Sequence, residues 1–286
     1  MHVVESIDLD NKLVALKKRV ALSDSLIVAY SGGVDSALLA SVAHQVLGNK
    51  SLAVIAKSPS ITDRELKEAI SVADRSGFLC QVIETDEIER PEYKANKPNR
   101  CYFCKDTLYQ RLLELATNLN YKTVANGTNL DDLDDYRPGL KAATEHGIIS
   151  PLAEVGLTKT EIRALSKRMK LPTWDKPAQA CLASRVPYGT SISTGILKRI
   201  GAAEELLKDI GFNQLRVRDH NSIARIEVPL ADLDKLLSPK IKEKITIGLK
   251  SLGYKYVTVD LEGFRSGSMN PSTDHNSEVF IKNGRK

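Results

Sequence analysis

Between residues 25 and 128 the chain alternates short apolar runs with helical patterns: SLIVAYS, then residues 35–48; SLAVIAK, then TDRELKEAISVADRSG; FLCQVIET, then CYFCKDTLYQRLLELATNLN; and KTVANGT. Runs of four to eight β-branched and aliphatic residues separated by helix-length periodic segments define βαβ units, and βαβ units define a parallel sheet. Ligands of such open sheets bind beyond the carboxyl ends of the strands, where Ser31, Lys57 and Gly127 are expected. A helix follows in LTKTEIRALSKRMKL, opened by a Thr158–Glu161 capping box and stopped by Pro172. The pattern then changes. After LPTWDKPAQACLASRVPYGTSIS, a proline- and small-residue-rich stretch, come helical ILKRIGAAEELLKDIG, extended QLRVRDH and ARIEVP, a helical stretch ending near Leu252, and extended KYVTVDLEGF. This predicts an α/β parallel-sheet domain over 1–172, a linker over 173–190 and a smaller α+β domain over 191–286, with a loose tail from Ser266.

At 286 residues the chain can bury about two ordinary cores. Its 42 % hydrophobic and 27 % charged residues exclude a disordered chain. No apolar run approaches a membrane span, and the acidic start MHVVESIDLDNK does not read as a secretory signal, so a cytoplasmic protein without membrane partners is expected. The net charge of +5 is spread among interleaved acids, which suits anionic small molecules and gives no electrostatic footprint for nucleic acid.

The first strand leaves through Ser31-Gly-Gly-Val-Asp-Ser36. Two glycines free the backbone to turn its N–H groups towards an anion, and the helix that follows points its positive end at the same place. Ser31 and Ser36 can donate to phosphate oxygens. Asp35 can meet a phosphate only across a cation, for which magnesium is the natural candidate. The lysine of GxxxxGK[ST] is missing, which argues against γ-phosphate chemistry. The whole hexapeptide after an apolar strand resembles the PP-loop of ATP pyrophosphatases, a Rossmann-like, adenine nucleotide alpha hydrolase-like fold. The resemblance implies cleavage of ATP between its α- and β-phosphates and adenylation of a substrate oxygen, with ATP held by Ser31, Gly32, Gly33, Asp35, Ser36 and Gly127.

Four further segments, DDYRPGLKAATEHG, PLAEVGLTKTEIRALSKRMKLPTWDKPAQACLASRVPYGT, LRVRDHNSIARIEVP and LGYKYVTVDLEGFRSGSMN, resemble the LarE family. That family makes the pyridinium bisthiocarboxylic acid mononucleotide of the nickel-pincer cofactor. The resemblance implies adenylation of a carboxylate of a mononucleotide substrate, then attack by sulfur with loss of AMP, and it covers nearly the whole chain. Asp35, Lys105 and Cys181 are its expected catalytic residues, with Lys105 neutralising the adenylated carboxylate. Well-known members sacrifice a cysteine where this chain has Ala180; Cys181 stands one residue later. Cys101 and Cys104 open a helix here, as in a second branch whose three cysteines bind a [4Fe-4S] cluster. Cys101-x-x-Cys104 places two thiols on one helix face beside Arg100 and Lys105, which favour thiolates, and with Cys181 would leave one iron open. The donor is then sulfide or another sulfur source. Zinc on the same thiols stays open, as does sacrifice of Cys181.

Cys80, within a strand, reads as a small apolar core residue. His44 and His146 are given no role, and the acidic run at 131–135 reads first as a solvated loop. Arg216 and Arg218 alternate along one strand and so share a face, where two guanidiniums can fork onto a phosphate. By the same resemblance, Ser184 and Arg185 join them at the mononucleotide phosphate, and Glu204 and Glu227 form an acidic group nearby. A homo-oligomer is expected. The rival functions are a tRNA-thiolating PP-loop enzyme, set against by the absence of an RNA-binding module, and a non-catalytic nucleotide- and zinc-binding module.

Overall fold

The computed structural model describes residues 2–133, 138–177 and 180–265. Asp134 and Asp135 of the acidic run and the tail from Ser266 lie outside the described residues. In chain order the elements are α1 (His2–Ala21), β1 (Leu26–Ala29), α2 (Val34–Leu47), β2 (Ser51–Lys57), α3 (Asp63–Ser76), β3 (Cys80–Glu84), α4 (Pro91–Lys94), α5 (Arg100–Asn118), β4 (Thr123–Ala125), α6 (Pro138–Glu145), α7 (Pro151–Glu154) and α8 (Lys159–Arg168). After a linker with a single 3₁₀ turn at Leu182–Arg185 come α9 (Thr194–Asp209), β5 (Arg216–His220), β6 (Ile223–Glu227), α10 (Leu233–Leu237), α11 (Pro239–Ser251) and β7 (Tyr256–Val259).

The first four strands form one parallel sheet in the order β3-β2-β1-β4, with Ile27 opposite Leu52 on one side and Val124 on the other. The chain builds outward from β1 through β2 to β3, then returns to the other side of β1 for β4. The strand order therefore reverses between β1 and β4, and the crevice at their carboxyl ends is the place where sheets of this kind receive ligands. Both faces are covered. Leu26 and Val28 pack against α1, α2 and α8 through Leu16, Leu38, Leu39 and Leu165, whereas Ile27 and Val54 pack against α5 through Tyr109 and Leu112. Burial on both faces explains why β1 reads as a continuous apolar run.

The capping box of α8 forms: Thr158 Oγ1 accepts from Glu161 N at 3.3 Å, and Thr158 N donates to Glu161 Oε2 at 2.8 Å. α3 opens on a second box, Thr62 with Glu65. The second sheet runs β5-β6-β7, antiparallel then parallel. Val217, Ala224 and Ile226 pack one of its faces against α9 and α11 through Leu207, Ile245 and Leu249. The linker has its own apolar cluster, in which Leu182, Ala183 and Val186 meet Tyr93, Leu197 and Ile200, with Phe103 and Cys104 at the margin. Among the described residues no helix is long and apolar enough to cross a membrane.

Candidate active site

The phosphate loop is built by the residues that the sequence singles out. Gly32 has φ +74°, and a Cβ there would meet Ala69 Cβ at 2.7 Å, so both conformation and space require glycine. Ser31 N donates to Ser36 Oγ at 3.1 Å, and Ser36 Oγ donates to Gly33 O at 3.2 Å, which closes the loop over the first turn of α2. Gly127, just past β4, brings its backbone against that turn; a Cβ would stand 2.9 Å from Ser36 N and 3.3 Å from Asp35 C. Ser31, Gly32, Gly33, Asp35, Ser36 and Gly127 are thus gathered at the strand-order reversal. Lys57, at the end of β2, is half exposed and faces Glu84 at 3.8 Å.

Two lysines that sequence reasoning missed stand over this loop. Lys159, the first residue of α8, forms an ion pair with Asp35, whose other oxygen accepts from Asn129 Nδ2 at 3.3 Å. Lys176, in the linker, donates to Gly32 O at 3.3 Å and lies 3.6 Å from Glu68. They supply the positive charge that the hexapeptide lacks, from 124 and 144 residues further along the chain. Asp131 accepts from Lys159 N at 2.8 Å and Asp132 from Asn129 N at 3.1 Å, so the described half of the acidic run caps and ties the neighbouring backbone. Asp35 offers the loop a carboxylate. Magnesium fits such a donor set, because it keeps water and substrate phosphate oxygens in its shell and needs one or two protein carboxylates.

The linker carries Cys181 from this loop to the start of α5. Cys101 and Cys181 are exposed and Cys104 is partly buried. Burial, and then the nearby charges of Glu87, Cys181 and Cys101, push the Cys104 thiol well above its ordinary value, against the smaller opposing effect of Lys105. The basic neighbours therefore do not make Cys104 a thiolate in the metal-free chain, contrary to the expectation from its flanking residues: desolvation is the larger effect. Burial alone would lower Lys105 and Arg100. At Lys105 the neighbouring Tyr109 and Cys104, then Cys101 and Cys181, outweigh it; at Arg100 Cys181 and Cys101, then Tyr93 and Tyr188, do so, and each cation's pKa is held up. The hydrogen bond from Arg100, at the start of α5, to Ala183 O at 3.0 Å sets the linker segment of Cys181 beside the helix turn of Cys101 and Cys104. Among the described residues no group of three or more histidine, cysteine or carboxylate side chains stands close enough to hold a metal ion. Cys80 sits against the first core, its thiol pushed up to about 11 by burial and then by Asp74, in keeping with a structural residue. His146 bonds to Asp106 at 2.7 Å, and Arg90 binds the same carboxylate at 2.5 Å, which ties α6 to α5.

The arginines sort into two kinds. Arg185 forks onto Glu204 (2.8 and 3.0 Å) and donates to Ala180 O at 2.7 Å and to Ser184 Oγ at 3.0 Å. Arg218 forks onto Glu227, both distances 2.9 Å, and donates to Ser184 O at 2.8 Å. Glu204 also accepts from Val217 N at 3.1 Å. The two glutamates are thus counterions inside the junction. Arg216 differs: it donates to Arg265 O at 3.1 Å and lies 4.5 Å over the Phe264 ring. Burial, then Arg218 and Arg185, lower its pKa. An anion beside Arg216 would relieve that excess of positive charge.

The NAD synthase family profile matches residues 10–129, the stretch from α1 through the phosphate loop to the end of β4. Pyridinium-3,5-bisthiocarboxylic acid mononucleotide synthase of Lactiplantibacillus plantarum is 41 % identical over 244 residues, covering 85 % of this chain and 88 % of its own. The uncharacterized protein slr1717 of Synechocystis sp. is 45 % identical over 262 residues, covering 92 % and 98 %. The uncharacterized protein MJ0830 of Methanocaldococcus jannaschii is 35 % identical over 263 residues, covering 89 % and 100 %. A parallel sheet with a glycine loop at its strand-order reversal, matched by that profile, defines an ATP-using enzyme of the PP-loop ATP pyrophosphatase class. Within that class the chain belongs to the LarE family of pyridinium-3,5-bisthiocarboxylic acid mononucleotide synthases.

Proposed function

We propose that this chain adenylates a carboxylate of a pyridinium biscarboxylic acid mononucleotide and converts it to a thiocarboxylate. The observation that carries the reading is the course of the linker, which touches the phosphate loop through Lys176 and brings Cys181 to Cys101, Cys104 and Lys105 within a few residues. Activation chemistry and thiols thereby face one crevice. The division into residues 1–172, a linker over 173–190 and a second domain from 191 belongs to this reading, the linker being where the two halves of the reaction meet.

The substrate carboxylate oxygen attacks the α-phosphorus of ATP; a new P–O bond forms, the bond to the β-phosphate breaks, and pyrophosphate leaves into the loop. Gly32, Gly33 and the first turn of α2 direct N–H groups at it, and Ser31, Ser36, Lys159 and Lys176 are the side chains that would receive its charge. Asp35 would then exchange Lys159 for magnesium bound to the phosphates. Sulfur, entering as hydrosulfide, next forms a bond to the acyl carbon as the bond to AMP breaks; AMP departs as an anion and the sulfur's proton goes to solvent. Lys105, kept protonated by its neighbours, offsets the charge of the carboxylate and of the departing phosphate.

Cys101, Cys104 and Cys181 would hold a [4Fe-4S] cluster with one iron free of protein ligand, and such a cluster supplies the sulfur when bound. What supports this is the chemistry of the donor set: the cations Arg100, Arg185 and Lys105 lie within electrostatic reach of the thiols and would suit an anionic cluster. Binding would draw the proton from Cys104, which the metal-free protein retains. Arg216 is the residue best placed for the mononucleotide phosphate, since Arg185 and Arg218 are occupied by glutamates. Pyrophosphate release that requires the acid substrate tests the reading. Asp35→Ala should abolish that release while the fold survives, because the residue stands at the partly exposed N-terminal turn of α2 and belongs to none of the apolar cores; unchanged release would remove the loop from the mechanism.

A further inference from the structure

The cysteine of the linker and the two of α5 come from segments about 80 residues apart, and something must set their relative position before any ligand arrives. The structure places a buried amide among the apolar side chains of the junction. Asn96 is wholly buried and adopts φ +49°, a left-handed conformation that asparagine tolerates. Its Nδ2 donates to Pro187 O at 2.8 Å, Thr190 O at 3.0 Å and Val186 O at 3.3 Å, and its backbone O accepts from Gly189 N at 3.1 Å. Its Oδ1 accepts from Arg100. Arg100, the first residue of α5 and the neighbour of Cys101, also donates to Ala183 O at 3.0 Å, two residues beyond Cys181, and lies 5.9 Å from the Tyr188 ring. Every one of these bonds crosses from the start of α5 to the linker or fixes the group that crosses. None reaches the phosphate loop.

We propose that Asn96 and Arg100 are positioning residues that hold the linker segment of Cys181 beside the start of α5, which carries Cys101 and Cys104, so that the segments bearing the three thiols are already juxtaposed in the metal-free chain. Three linker carbonyls clustered on one amide leave the 183–190 segment a single register, because a slip of one residue would leave buried carbonyls unpaired. Arg100 then joins that register to the first turn of the helix that carries the other two thiols. The role deepens the cluster reading and rests on it for its purpose, but the register itself exists without iron.

The test is made on the iron-free full chain carrying Cys80→Ser. A bifunctional thiol reagent that links only neighbouring cysteines is applied, and cross-linked peptides are counted by mass spectrometry, with circular dichroism and cooperative melting as the control for folding. The parent should cross-link Cys181 to Cys101 or Cys104 efficiently. Arg100→Gln and Asn96→Asp should each lower that yield about ten-fold, the factor for one lost charge-assisted or buried hydrogen bond, and Arg100→Lys should restore part of it. A parent that does not cross-link, or folded Arg100→Gln and Asn96→Asp chains that cross-link like the parent, would overturn the proposal. A variant too unstable to fold would do so as well, since the register would then serve the fold and not the thiols. Failure of the cluster reading shows separately, as a parent that cross-links normally yet takes up no iron on reconstitution.

Discussion

At Arg216, Arg218 and Arg185 the same side chain serves different ends according to what faces it. Arg218 and Arg185 are buried and forked onto Glu227 and Glu204, whereas Arg216 meets a backbone carbonyl and an aromatic face. Arg216→Ala should therefore weaken binding of the mononucleotide by about 1.5–3 kcal/mol and leave ATP binding unaltered, as isothermal titration with each ligand would show. Arg218→Ala should instead cost about 3 kcal/mol of stability in denaturant unfolding, because it strips a buried carboxylate of its bidentate partner. Equal effects of the two substitutions on both readouts would erase the distinction. The thiols divide in a similar way. Alkylation of the iron-free protein at pH 8 should modify exposed Cys101 and Cys181 well before Cys104, whose proton burial retains; labelling of Cys104 first would contradict its environment. Alternation along LRVRDH gives the shared face of the two arginines, but not Glu227, which neutralises Arg218. That information resides in a diagonal neighbour on β6.

Among the elements, α8 shows how local sequence and tertiary packing combine. Its capping box is legible in TKTE, but the box also accepts Lys12 of α1, which bonds to Glu161 at 2.7 Å and to Gly156 O at 2.9 Å. Burial alone would raise the Glu161 carboxyl; the hydrogen bonds from Lys12 and Thr158 outweigh it and hold it below its ordinary 4.5. A carboxylate with a lowered folded-state pKa stabilises the fold fully above that ordinary value and loses its contribution as pH falls through the lower one. Glu161→Gln should thus lower the melting temperature by about 2–4 °C at pH 7, a cap's worth of about 1 kcal/mol, with the difference shrinking below pH 4. A difference that grew on acidification would mean that the carboxylate is not the stabilising form. The strands and major helices were readable because their periodicities differ. α1 escapes a reading that takes the start of the chain only for its lack of a secretory pattern, although LDNKLVALKKRV carries the apolar spacing that buries Leu16 and Val20. Lys159 lies in a readable helix, yet its place over Asp35 follows from the packing of α8 on α2, which no local pattern encodes.

For the molecule as a whole, the linker before α9 meets both the loop after β1, where Lys176 donates to Gly32 O, and the start of α5, where Arg100 donates to Ala183 O. In the proposed reading each tract carries a part of the chemistry, and the apolar cluster of Leu182, Ala183 and Val186 with Tyr93 and Leu197 holds the linker in place. The alternation of strands and helices made the crevice predictable as a location. The way the linker traverses it was not, because a proline-rich segment has no period and its course is set by Asn96, Arg100 and Ser60, whose backbone O accepts from Leu182 N at 2.9 Å. The central claim is that the three thiols act together and repeatedly, and that Cys181 is not consumed. It is tested most directly by supplying sulfide, ATP, magnesium and the acid substrate to anaerobically reconstituted protein, then counting thiocarboxylates per chain and weighing the intact polypeptide. The account predicts many thiocarboxylates per chain with the mass unchanged. One thiocarboxylate per chain, with the Cys181 peptide recovered as dehydroalanine, would contradict it.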